Sequence, residues 1–70
     1  MNALDNLVVF VKENYPAYGY VITPGVEIAV DGLVFRVGPN GNLLLVSDRG
    51  EETLTLEEAQ RMVLEEKAIE

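Results

Sequence analysis

Seventy residues make one domain with a thin stability margin, because so short a chain buries only ~60% of the surface it exposes when unfolded. It contains no cysteine and no histidine, which removes disulfides, thiolate metal sites and the commonest transition-metal ligand. Twelve acidic residues against five basic ones give a formal net charge of −7, and Lys12, Arg36, Arg49, Arg61 and Lys67 stand singly, so direct nucleic-acid or anionic-membrane binding is disfavoured.

Apolar residues make up 49% of the chain, too many for intrinsic disorder. The longest apolar run, Leu7 to Val11, falls far short of the ~20 residues of a membrane span. The start, Met1-Asn2-Ala3-Leu4-Asp5, lacks the basic opening of a signal peptide, which leaves the cytoplasm as the default location.

Residues 2 to 14 have helical periodicity. Ala3, Leu4, Leu7, Val8, Phe10 and Val11 share one face; Asp5, Asn6, Lys12 and Glu13 share the other. Asn2 is placed to cap this helix, Asp5 suits its first turn, and Pro16 ends it near Asn14. Three valines in four positions weaken helix propensity, so a strand over 7–11 is the competing reading. Tyr15, Tyr18 and Tyr20 follow, with Tyr18, Tyr20 and Ile22 alternating as a short strand would. Thr23-Pro24-Gly25-Val26 has Pro and Gly where a type II turn requires them.

The clearest element comes next. Val26–Val30 and Leu33–Val37 flank Asp31-Gly32, the signature of a two-residue hairpin. Pairing positions that sum to 63 sets Val30 opposite Leu33, Ile28 opposite Phe35 and Val26 opposite Val37 on one face. The reverse face then pairs Ala29 with Val34 and Glu27 with Arg36, an opposite-charge cross-strand pair. Gly38–Asn42 reads as a loop and Leu43–Ser47 as a strand whose pairing with the hairpin sums to 80. That register puts Leu44 and Val46 beside Arg36 and Val34, so the reverse face is more apolar than a solvated sheet face normally is. Asp48–Glu52 reads as a polar turn, and Thr53-Leu54-Thr55 as a further short strand. Thr55 and Glu58 have capping-box spacing for a helix from Leu56 to about Ala68. This helix buries Leu56, Ala59 and Val63, with Met62 and Ile69 at the margin of its stripe and Leu64 on its polar side.

The expected fold is therefore α+β, one domain over residues 1–70. It is a three- to four-stranded antiparallel meander flanked by an N-terminal and a C-terminal helix. Either the helices take opposite faces, or both take one and the other is left for a second subunit.

A catalytic role is not expected. There is one serine, no cysteine and no histidine to build a nucleophile and its base, and little room for a pocket of ~300 Å³. No cofactor is implied, and Asp48, Glu51 and Glu52 lack the ligand order of a calcium loop. The leading expectation is a non-catalytic protein–protein interaction module. Residues 48 to 70 hold eight acids against three bases, and Glu51, Glu52, Glu57, Glu58 and Glu65 are its candidate contacts for a basic, nucleic-acid-binding type of protein surface. The competing reading of these acids is a solvated helix face with a Glu57–Arg61 pair. In size and charge the chain resembles short acidic virus- and plasmid-encoded inhibitors that mimic DNA, a likeness of composition alone. The alternative role is a structural subunit, a homodimer or larger assembly, joined through the apolar face and aromatics at Val34, Leu44, Val46, Tyr18 and Tyr20.

Overall fold

A computed structural model describes residues 2–69 and the side chains of 2–68; Met1, Glu70 and the Ile69 side chain expected at the helix margin lie outside the described residues. The first helix, α1 (Ala3–Asn14), is bounded as its sequence dictates. The Asn2 side chain accepts from the Asp5 N–H at 2.9 Å, and Tyr15, held extended ahead of Pro16, stops the helix. Leu4, Leu7 and Val11 are buried along one stripe, so the helical period overrides the local β-propensity of the valines. A single 3₁₀ turn at Ala17–Gly19 leads into the sheet.

The sheet is a pure meander of five antiparallel strands, one or two more than the sequence suggests. They are β1 (Tyr20–Thr23), β2 (Glu27–Val30), β3 (Leu33–Val37), β4 (Leu43–Ser47) and β5 (Gly50–Leu54), each paired with its neighbours in the chain. The β2–β3 and β3–β4 registers are those expected from the hydrophobic pattern, including Glu27 opposite Arg36 and Val34 opposite Val46. Asp31 (φ 45°) and Gly32 (φ 92°) both lie in the left-handed region, as the tight hairpin turn demands. One expected pair is not made. Val26 leaves the ladder because its N–H closes the Thr23–Val26 turn at 3.0 Å onto the Thr23 carbonyl, and both Val26 and Val37 are exposed.

The extra strand length comes from β5. Glu51 and Glu52, expected in a turn, instead pair with Val46 and Leu45. Their side chains have low β-propensity, but a two-residue turn at Asp48-Arg49 presents them to β4, and the ladder decides their backbone. A short loop at Thr55 then starts α2 (Leu56–Ile69).

Both helices pack on the same face of the sheet. The core joins Leu4, Leu7 and Val11 of α1 to Ala59 and Val63 of α2, over Ile28, Val30, Phe35, Leu43, Leu45 and Leu54. Of the two arrangements open from sequence, this is the one that leaves a sheet face bare. Leu56, expected in the core, is only partly buried against it.

The start of α2 is a reciprocal capping box. The Glu58 N–H donates to Thr55 Oγ1 at 3.1 Å, and the Thr55 N–H donates to Glu58 Oε1 at 3.0 Å. That backbone hydrogen bond, then the Thr55 hydroxyl and the charge of Arg61, hold the Glu58 carboxyl below the usual glutamate range. A lowered folded value means the contribution is complete above the unfolded value and is lost as pH falls through the folded one. Thr55→Ala is expected to cost about 1 kcal/mol and lower the melting temperature by several degrees. Glu58→Gln, which cannot titrate, should flatten the loss of stability on the acid side. Thermal melts at neutral and acid pH check both, and an unchanged acid-side slope in Glu58→Gln would remove the assigned role.

Candidate functional site

The alternation of side chains along each strand fixes what the bare face carries. Reading across the registers, Val21, Ala29, Val34, Val46 and Glu51 form one row over all five strands. Thr23, Glu27, Arg36, Leu44 and Thr53 form the next. The contrast with the helix side is sharp. Ile28, Val30, Phe35 and Leu43 are fully buried, whereas Ala29, Val34, Leu44 and Val46 are only half-buried and Val21 is 69% exposed. Four apolar side chains in line across four strands make a continuous strip. At one end of this face an open depression of about 390 Å³ is lined by Gly25, Val26, Arg36, Val37, Leu44 and Glu51. The Arg36 Nε lies 3.5 Å from Glu27 Oε1, so the charges at the centre of the face cancel. Half in water, that pair adds little to stability and serves to keep the strip neutral.

Val34, Leu44 and Val46 are thus brought together. Tyr18 and Tyr20 are not. Tyr20 points to the helix side and packs against the core, while Tyr18, in the 3₁₀ turn, is 90% exposed. Tyr15 is buried, and its hydroxyl donates to Asp31 Oδ2 at 3.3 Å. The three tyrosines therefore divide into a core residue, a partial cover and a free aromatic.

The acidic residues also divide. Glu57 and Glu65 are exposed on α2, opposite its buried Ala59 and Val63. Glu58 is engaged in the capping box. Glu51 belongs to the bare face at the β5 edge, and Glu52, one residue on, projects to the opposite side of that strand. The Glu57–Arg61 pair is not formed; among the described residues the one ion pair is Glu27–Arg36, and Arg61 acts on Glu58 instead. Another open depression, about 510 Å³, lies at the β4–β5 end among Leu45, Ser47, Asp48, Arg49, Gly50, Glu51 and Glu52. No group of three or more Asp or Glu among the described residues is arranged to hold a metal ion.

No family model, no curated protein and no solved structure matches the chain. The geometry is then the only guide to function. Among the described residues no helix is long and apolar enough to cross a membrane. What sequence reasoning missed is Val21, the most exposed member of the strip. Its signal was present in the Tyr20-Val21-Ile22-Thr23 alternation, which places it opposite the core-facing Tyr20 and Ile22.

Proposed function

We propose that the chain is a non-catalytic protein-interaction module that receives a partner on the helix-free sheet face. The partner would present an apolar patch flanked by Lys and Arg. The observation that carries this reading is the strip from Val21 to Val46, left in water because both helices cover the other face. Exposed apolar strips of this kind mark contact surfaces. The basic flank follows from charge: the strip is locally neutral, it ends at Glu51, and the chain around it carries −7. Apolar contact would then supply the affinity and the surrounding field the rate of encounter.

A second reading is favoured by a separate observation, the exposure of Glu57 and Glu65 on α2 without an ion-pair partner among the described residues. In it the acidic helix itself occupies a basic site on a nucleic-acid-binding protein, as an inhibitor would. Immobilised chain, challenged with cell extract at low and high salt, separates the two. Val34→Glu and Leu44→Glu should lower the affinity of a captured protein at least tenfold, or about 1.4 kcal/mol, while circular dichroism stays native. Glu57→Lys with Glu65→Lys should weaken capture mainly at low salt. Undiminished capture by Val34→Glu, together with loss in the double lysine variant, would transfer the function to the helix.

A further inference from the structure

The two edges of the sheet are not equivalent. The β5 edge carries Glu51 and Glu52, with Asp48 and Arg49 in the turn before them, the kind of charge that keeps an edge from pairing. The β1 edge reads Tyr-Val-Ile-Thr, with no charge and no proline inside the strand. Its hydrogen-bonding phase is fixed by the Asp31 N–H, which donates to the Gly19 carbonyl at 3.1 Å. Alternation along an antiparallel ladder then directs the backbone groups of Val21 and Thr23 toward β2 and those of Tyr20 and Ile22 outward. Two N–H and two C=O groups therefore line an open edge.

We propose that this edge takes the β1 strand of a second copy of the chain, antiparallel and about a two-fold axis at Val21. In that register Tyr20 pairs with the second copy's Ile22 and Ile22 with its Tyr20, so all four outward groups on each copy find partners. Both are hydrogen-bonded pairs, and each joins an aromatic to a β-branched residue on the helix side. Val21 meets its own counterpart in the close, non-hydrogen-bonded position, on the face where it is now 69% exposed. The same register runs the exposed Tyr18 toward the second copy's Pro24.

Charge selects this arrangement over its rivals. Chains of net charge −7 repel, and pairing through β5 would set Glu51 and Glu52 against their own copies. Stacking two helix-free faces would bury two Glu27–Arg36 pairs between chains of like net charge, with no basic flank to offset their desolvation. The β1 edge brings two uncharged strands together and leaves those pairs in water. The product is a ten-stranded sheet whose apolar strip doubles in length. This inference rests on the edge and not on the function proposed for the face.

The chain has no cysteine, so single-cysteine variants report proximity directly. The expected spacing of the Val21 pair, about 4.5 Å between Cα atoms, lies within the range a disulfide spans. Under mild oxidation Val21→Cys should cross-link at least ~10-fold faster than Thr53→Cys, which is exposed on the opposite edge. Analytical ultracentrifugation should show a concentration-dependent dimer, with Val21→Lys raising its dissociation constant roughly tenfold or more and Val34→Glu leaving it unchanged. Circular dichroism checks that each variant is folded. Equal cross-linking of the two cysteine variants overturns the proposal. So does a wild-type monomer at every concentration, which would leave the edge to a foreign strand.

Discussion

Phe35→Ala is expected to leave the chain largely unfolded at physiological temperature. Phe35 is fully buried, and at the middle of the central strand it lies between Ile28 and Leu45, on the face that α1 packs against and in one core cluster with Ala59 and Val63 of α2. Truncating a core Phe costs about 3–5 kcal/mol through lost transfer energy and the cavity left behind. A 70-residue domain holds roughly 3–10 kcal/mol in total, so this one change removes most of the margin. Urea titration followed by far-ultraviolet circular dichroism measures it. A midpoint lowered only slightly would mean that α1 and α2 collapse into the vacancy, and that the core is looser than its packing shows. Phe35→Leu, which leaves a smaller void, should retain the fold with an intermediate loss.

The second large effect is expected at Gly19, where the backbone runs against the ring of Tyr15. A Cβ there would lie 2.6 Å from Tyr15 Cδ2 and closer still to Cε2. The ring cannot yield easily, since it is buried and its hydroxyl is tied to Asp31. Gly19→Ala must therefore displace either Tyr15 or the 3₁₀ turn that starts β1. The expected cost is about 1–3 kcal/mol, typical of overpacking a closed site. Because the Gly19 carbonyl also receives the Asp31 N–H, the damage should spread into the β1–β2 pairing. Hydrogen exchange at Val21 and Thr23 checks this: both amides should lose protection well before those of β3. Tyr15→Leu combined with Gly19→Ala should recover part of the loss, since it removes the colliding ring atoms.

Much of this architecture is legible in the residues because several local signals agree. At Asp31-Gly32 the turn chemistry, the apolar alternation and the Glu27–Arg36 pair all demand one register, and the structure has it. Asn2 and Thr55 announce their helices through short-range hydrogen bonds that need no tertiary context. What was not legible depends on distant partners. Glu51 and Glu52 look like turn residues until β4 supplies a ladder for them. Val26 is instead a local conflict: the strand pattern and the Thr23–Val26 turn both claim it, and the turn takes its N–H. Which face the helices choose is also absent from their own periodicity, because an amphipathic stripe specifies burial without specifying against what.

The candidate surface follows the same rule. Val34, Leu44 and Val46 were recoverable as one patch because the strand register carries them to one side. The acidic residues were not, since the sequence places them together between 51 and 65 while the fold divides them among a cap, two sides of an edge strand and a helix face. Proximity along a chain is a poor guide to a charged surface when a strand lies within the stretch.

The strictly sequential strand order also bears on how the molecule assembles. Every strand closes onto the one before it across a turn of a few residues, so each closure fixes little chain and costs little entropy. The contacts between distant stretches of sequence come from helix docking, α1 meeting α2 and also β2 and β3. Hairpins can therefore zip outward from Asp31-Gly32 in small steps, with helix docking left as the single demanding event, an order that suits rapid folding in a domain with so little stability to spare.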